Sequence, residues 1–386
     1  MSTEEPSGRP QAPELSDEQR GVVDKLMDWI RHSDERMTTV GGYAGTGKTT
    51  MIRVLLQRLG PRAKVCAFTG KAANVLRTKG LLGAKTLHSL IYEPKLMCDE
   101  CKIPIDEGSE IGSRCPNDPE HDVSVRFKRQ SILPLDFLVV DEASMISRDL
   151  FEDIMRFEIR IIFVGDHGQL EPIGDNPNLM RDPVHRLETI HRQAKGSEIL
   201  DLAHWVREGN RPKDFGASAR LYRGIPSDLH TFDQVICGYN ATRVAVNARI
   251  RRELGFSGDI PMVGERVVCL KNNRDYGIFN GMQGVVTKIS TVEQKISVRD
   301  DSGQNHSGMG FLPDQFGAEK TIDTRSMRTT LWDFGYCITC HKAQGSEYGK
   351  LLVLEQISSS WSSARWRYTA ITRASESVVY CLSPRR

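Results

Sequence analysis

The 386-residue chain is 39% hydrophobic and carries 52 basic against 50 acidic residues, a net charge of +2. That length allows several packed units. The charge balance excludes a strongly basic nonspecific nucleic-acid binder, so any nucleic-acid argument must come from local features. No apolar run is long enough to span a bilayer, and no membrane partner is expected. Nine unevenly spaced cysteines argue against a disulfide framework and for a reducing, cytoplasmic setting.

Residues 1–13 are acidic and Pro-rich without an apolar signal segment, and read as a disordered tail. Four β-rich runs follow, MTTVGGY, AKVCAFT, DFLVVDE and RIIFVGD, each ending in small or charged residues ahead of helix-forming sequence. This alternation predicts an α/β fold with parallel strands, whose ligands bind in the loops beyond the strand carboxyl ends. Two segments break the pattern. Residues 93–131 are polar and carry three cysteines, and residues 263–330 read as short strands with Gly turns, a small antiparallel barrel.

The first run leads into Gly42-Tyr43-Ala44-Gly45-Thr46-Gly47-Lys48-Thr49, a phosphate-binding loop between a strand and a helix. Gly42, Gly45 and Gly47 let backbone N–H groups, with that of Thr46, wrap the phosphates of ATP. Lys48 neutralises the β/γ oxygens, and Thr49 offers its hydroxyl to Mg²⁺, with Thr50 beside it. Asp141 ends an apolar strand where it would hold the same Mg²⁺, and Glu142 would orient the attacking water. Gln169 is placed to sense the γ-phosphate. Arg192 and Arg373 are candidate arginine fingers.

Cys98-x2-Cys101 followed by Cys115-x5-His121 offers three thiolates and an imidazole at spacings that suit tetrahedral Zn²⁺. Asp118 or Glu120 is near enough to replace His121. The insert has too few apolar residues for its own core, and a metal would supply rigidity. Cys337 and Cys340, three apart in an expected strand, point to opposite faces and read as structural. Cys66, Cys237, Cys269 and Cys381 read as small buried hydrophobes. Arg243, Arg249, Arg251 and Arg252 read as a solvated helix face.

Taken in order, these motifs resemble the RecD-like and Dda-like helicases of superfamily one. LSDEQRGVVDKL with Gln19 is similar to their adenine-reading Q motif, and GGYAGTGKTT to motif I. AFTGKAANVL and KTLHSLI resemble motifs Ia and Ib, LVVDEAS motif II and FVGDHGQLEPIG motif III. LETIHRQ resembles motif IV, ITCHKAQGSEYGKLLVLE motif V and WRYTAITRASESVVY motif VI. His191 stands where the family has a stacking aromatic, and the cysteines stand where a plain β-hairpin is usual.

The resemblance implies two RecA-like cores: 14–92 with 132–182, and 183–262 with 331–386. A zinc-binding insert at 93–131 and a Src-homology-3-like barrel at 263–330 would complete the fold. It also implies a monomeric DNA helicase that travels 5′→3′ on single-stranded DNA and opens forked duplex, in replication or repair. Gly345 and Glu347 of motif V would border the nucleotide. Thr69, Lys71, Thr86, His88, Thr339, His341 and Lys342 would contact the strand's backbone. Phe68 and Trp332 are aromatics of the same region, read as core before stacking. The zinc insert would act as a stiff strand-separating pin, with Arg126, Lys128 and Arg129 around Phe127 holding phosphates. A nucleic-acid-stimulated ATPase that acts on RNA or remodels protein–nucleic-acid complexes, without duplex unwinding, is the alternative reading.

Overall fold

A computed structural model of the chain describes residues 14–98, 100–101, 103–105, 114–121, 123–171, 175–190, 197–273, 276–278, 280–323 and 329–382. The expected tail, His191 and Arg192 lie outside them, as do the side chains of Lys71, Arg126 and Phe127.

Helix α1, Asp17–His32, starts with a capping box: Ser16 accepts the Gln19 N–H, and the Gln19 side chain accepts the Ser16 N–H. Acidic residues in its first turn and basic ones in its last suit the helix dipole. There follow β1 (Met37–Gly42), α2 (Lys48–Leu59), β2 (Ala63–Ala67), α3 (Gly70–Thr78), β3 (Lys85–Thr86) and α4 (Leu87–Ile91). Next come β4 (Tyr92–Cys98), β5 (Val123–Arg129), β6 (Phe137–Asp141), α5 (Arg148–Met155), β7 (Arg160–Gly165) and β8 (His185–Leu187). Among the described residues, six strands pair in the order β3-β2-β6-β7-β1-β8, all parallel.

Alternation along the strands splits the core in two. Val139, Ile162 and Val164 pack under α1, α2 and α3, whereas Leu138, Val140, Ile161 and Phe163 pack under α4 and α5. Strands buried on both faces need this nearly continuous apolar character.

The insert between β3 and β6 is a hairpin. β4 and β5 pair antiparallel from Tyr92↔Arg129 to Cys98↔Val123. At its root the Tyr92 hydroxyl donates to Asp153 of α5, Arg129 lies 3.8 Å from the same carboxylate, and Gln130 donates to the Leu90 carbonyl at 3.1 Å.

The second half runs α6 (Glu198–Arg207), β9 (Ala219–Arg223), β10 (Gln234–Cys237) and α7 (Asn240–Glu253). It continues through β11 (Arg266–Cys269), β12 (Gln283–Ser290), β13 (Lys295–Asp300), β14 (Asn305–Gly310) and β15 (Trp332–Phe334). It closes with β16 (Cys337–Thr339), α8 (Cys340–Ala343), β17 (Tyr348–Leu354), α9 (Ser363–Ile371) and β18 (Ala374–Leu382). A second parallel sheet has the order β16-β10-β17-β18-β9. An antiparallel sheet, β14-β13-β12-β11-β15, is inserted into it and has a core of its own around Val267, Val298, Phe311 and Trp332. Its edges β14 and β15 are approached by one isolated bridge, Phe311↔Thr330.

Several expectations need correction. β8 pairs with β1, so residues near 185 belong to the first sheet, not the second core. β15 pairs with β11, so the antiparallel unit extends past residue 330. Arg243 and Arg251 are not solvated. Each is buried in an ion pair, Arg243 with Asp333 and Arg251 with Glu265 at 2.6 Å, which fasten α7 to the antiparallel unit. Cys340 opens a short helix rather than sharing a strand with Cys337, although both are fully buried. Trp332 is fully buried and donates its indole N–H to Thr330, which leaves it in the core.

Candidate nucleotide site, metal centre and nucleic-acid face

β1 runs directly into the glycine loop, and α2 begins at Lys48. Gly45 (φ 82°) and Gly47 (φ 73°) are left-handed, a conformation that costs other residues free energy and turns the helix N-terminus toward the loop. Lys48 donates to the carbonyls of Gly42 at 2.7 Å and Tyr43 at 3.0 Å, so its ammonium lies over the loop. Gln19 is buried, and its amide donates to the Thr46 carbonyl at 3.0 Å and the Gly47 carbonyl at 3.3 Å. It thereby braces the loop from below, and its side-chain oxygen serves the α1 capping box. Thr49 and Thr50 sit in the first turn of α2.

Asp141 ends β6 next to this loop. Burial pushes its carboxyl up to about 6, the Glu142 carboxylate adding to the shift and Lys48 opposing it. A divalent cation bound there would restore the ionised form. Glu142 is left-handed at φ 54°, and its Oε2 is buried with no partner among the described residues. A strained residue with an unpaired buried carboxylate oxygen is the arrangement expected of a group reserved for chemistry. Gln169 is buried, and its amide donates to Asp166 at 3.2 Å.

The two parallel sheets meet at this site. Tyr368 of α9 accepts the Ala44 N–H of the loop at 2.7 Å and donates to Asp166, after β7, at 2.9 Å. Thr369 accepts the Leu170 N–H at 2.8 Å, and Gln344 donates to the Leu170 carbonyl at 2.9 Å. The ring of Tyr43 has the Arg207 guanidinium 3.6 Å from its centroid and the His167 ring at 3.9 Å. Arg373 is buried and donates to the Ser346 and Thr369 carbonyls and the Thr372 hydroxyl, all within the second core. Gly345 approaches Thr69 of the first core, since a Cβ on it would lie 3.3 Å from the Thr69 hydroxyl oxygen. Glu347 is exposed and faces a cleft shared with Arg266, Asp301 and Tyr336, away from the loop. Sequence reasoning assigned no role to Tyr368, Asp166, Tyr43 or Arg207. Tyr368 and Asp166 lie inside motifs VI and III, which was the available signal.

The candidate backbone contacts gather at strand carboxyl ends. Thr69 caps α3 after β2, Thr86 caps α4 at the end of β3, and Thr339 ends β16. The His88 ring centroid is 6.2 Å from that of Phe68 and 5.9 Å from that of Tyr92, and His341 lies 5.1 Å from Trp361. Burial lowers the Lys342 ammonium to about 8, with repulsion from Arg243 next in size.

At the hairpin tip, Cys98, Cys101, Cys115 and His121 bring their donor atoms within 4.8 Å of one another. The His121 Nδ1 lies 3.2 Å from the Cys101 sulfur and 3.6 Å from that of Cys98, and the Cys101 and Cys115 sulfurs are 3.9 Å apart. A tetrahedron with Zn–S near 2.3 Å and Zn–N near 2.0 Å has edges of roughly 3.5–3.8 Å, so these four residues fit the ion. His121 is the fourth donor of the cluster. Asp118 lies behind it, 3.6 Å from Nε2, as an orienting carboxylate.

Residues 14–223 match the AAA domain family, and residues 334–380 match the UvrD-like helicase C-terminal domain. The chain is similar to the ATP-dependent RecD2 DNA helicase of Deinococcus radiodurans, 27% identical over 391 residues that cover 93% of this chain and 48% of that protein. It is also similar to the RecBCD enzyme subunit RecD of Mycolicibacterium smegmatis, 26% identical over 420 residues covering 89% and 67%. It thus spans about half the length of the first of these relatives. Among solved structures, a Bacteroides Pif1 bound to ssDNA shares the fold at TM-score 0.58 and 21% identity, over 95% of this chain and 92% of that one. No described helix is long and apolar enough to cross a membrane.

Proposed function

Because the chain belongs to the AAA domain family, among the RecD/Pif1-like helicases of superfamily one, we propose that it hydrolyses ATP to travel 5′→3′ along single-stranded DNA and to open forked duplex. The observation that carries this reading is the seam in which Tyr368 of α9, in the second core, bonds both the phosphate loop, at Ala44, and Asp166 beside Gln169. A group that touches both motifs transmits the nucleotide state between the cores.

In this reading the α2 N-terminus and Lys48 bind the phosphates, and Thr49 and Asp141 hold Mg²⁺. Mg²⁺, when bound, neutralises charge on the β/γ oxygens. Glu142 orients and deprotonates the attacking water, and Gln169 reports on the γ-phosphate. Arg373 supplies positive charge to the transition state after closure, as Arg192 of motif IV would. Gln19 positions the loop from beneath.

Zinc, held by Cys98, Cys101, Cys115 and His121, would stiffen the β4–β5 hairpin tip. The hairpin then serves as the pin that parts the strands, with Lys128 and Arg129 near its root. The antiparallel sheet serves as a small barrel of the Src-homology-3 kind against the second core. Replication or repair is the proposed setting, and the monomer the proposed working form. Strand displacement on duplexes with a single 5′ or 3′ tail tests the central claim. Unwinding from the 5′ tail is expected, and unwinding from the 3′ tail alone would reverse the assigned direction.

A further inference from the structure

Beyond motif V, the carboxyl edge of the second sheet carries an aromatic group that neither the motifs nor the nucleotide site accounts for. Tyr239, immediately after Gly238 at the end of β10, stacks on Trp361, with ring centroids 5.7 Å apart and planes at 29°. The Trp361 indole is in turn met edge-on by His341 at 5.1 Å. Tyr239 is nevertheless 43% exposed.

Its backbone is held firmly. The Gln356 side-chain oxygen accepts the N–H groups of Gly238 at 3.2 Å and Tyr239 at 3.3 Å, and its amide donates to Thr242 at 2.7 Å. A Cβ on Gly238 would lie 2.2 Å from the Gln356 carbonyl oxygen, so only glycine fits this turn. Tyr239 is fixed at its base yet leaves its ring open to solvent, while the Trp361 beneath it packs against the second core. The exposed ring is preorganised for a flat partner.

Its setting selects the partner. His341 meets the indole, Thr339 pairs in register with Cys237 two residues before Tyr239, and the residue that carries the exposed ring is the N-cap of α7, whose side chain makes no capping bond. The positive end of a 14-residue helix therefore lies next to the ring. A nucleobase against the ring with its phosphate toward the helix end satisfies both features, and stacking is indifferent to base identity.

We infer that Tyr239 and Trp361 form a base-stacking platform for single-stranded DNA on the second core, with His341 backing the indole. The platform holds the strand by its bases where the motif residues hold its backbone. This rests on the helicase reading above.

The test compares binding of a labelled single-stranded oligonucleotide with that of the same strand bearing a run of abasic sites, using the full chain. The parent should prefer the base-bearing strand about ten-fold, in keeping with one stacked base. Tyr239→Ala should lose that preference while binding the abasic strand as the parent does, and Tyr239→Phe should keep it. A 2-aminopurine in the strand should be quenched by the parent and by Tyr239→Phe, but not by Tyr239→Ala. If Tyr239→Ala does not fold, Tyr239→Leu keeps the bulk without the π face and should give the same loss. Undiminished preference in the folded alanine or leucine variant overturns the platform and leaves the helicase reading standing. A parent that binds neither strand removes both.

Discussion

Tyr368 donates its hydroxyl proton to Asp166 across 2.9 Å, a bond between residues 202 positions apart that joins the last helix of the second core to the loop after β7 of the first. A bond to a charged acceptor is worth about 1.5–3 kcal/mol. Tyr368→Phe keeps the ring and removes that bond and the one from Ala44. The expected outcome is a DNA-stimulated ATPase rate lowered about ten-fold with ATP affinity nearly kept, since the loss falls on communication between cores. Steady-state turnover with and without oligonucleotide, beside nucleotide binding by fluorescence, measures both.

Hydrolysis should separate from binding at Glu142. Glu142→Gln preserves shape but removes the base, and turnover should fall about 10²–10⁴-fold while ATP still binds. Lys48→Ala should instead weaken ATP binding. Arg373→Ala should slow turnover with little loss of affinity, because its charge is needed mainly in the transition state. Near-normal turnover in Glu142→Gln would remove that residue from its role.

Metal analysis of the purified chain should find about one Zn²⁺ per molecule, the number one tetrahedral Cys3His site takes up. Cys98→Ser combined with Cys101→Ser should lose the metal and keep ATPase stimulation by single-stranded DNA, while unwinding of a forked duplex falls sharply. Equal unwinding by variant and parent would show that the tip does not part the strands.

The Arg251–Glu265 pair is buried on both sides and also engages the Gly258, Ser257 and Ile260 carbonyls. Arg251→Ala leaves a buried carboxylate uncompensated and should cost about 3–5 kcal/mol. Urea denaturation should register this as a lower midpoint, and the double change Arg251→Met, Glu265→Leu should recover much of the loss.

His167 lies against Tyr43, and burial lowers its imidazole to about 4, with Asp166 opposing and Arg186 reinforcing. The folded chain therefore binds fewer protons than the unfolded chain between that value and the ordinary histidine range. Stability from this group is complete above pH 6.5 and is lost as pH falls toward 4. His204 and His185, lowered by the same cause, act in the same direction. Melting temperature followed from pH 7.5 to 5 should fall less steeply in His167→Gln than in the parent.

The four strands that lead into the motif loops were legible because each is an apolar run followed at once by the motif residues, as Val140 runs into Asp141. β8 was not, since His185-Arg186-Leu187 has no apolar run and owes its place to pairing with β1. The buried arginines were misread for a related reason. Asp333 lies 90 positions from Arg243, so no local spacing announces the partner. The cysteine and histidine spacings did announce a common cluster, but the hairpin that presents it was hidden because Tyr92–Cys98 mixes charge, Pro and apolar residues. Tyr239 and Trp361 went unseen because stacking partners 122 positions apart leave no periodic trace.

The clamp of Tyr92 and Arg129 on Asp153 gives the hairpin the mechanics of a lever. Both residues sit at the root, in register with each other, and the cysteine cluster sits at the far end of the strands. Seven residues of strand reach about 23 Å, so a tilt of about 5° at α5 moves the tip by about 2 Å. Helix α5 follows Asp141 and Glu142 within a few residues. In the proposed helicase, a small rotation there, timed by hydrolysis, would be enlarged into a stroke of that size at the proposed point of strand separation.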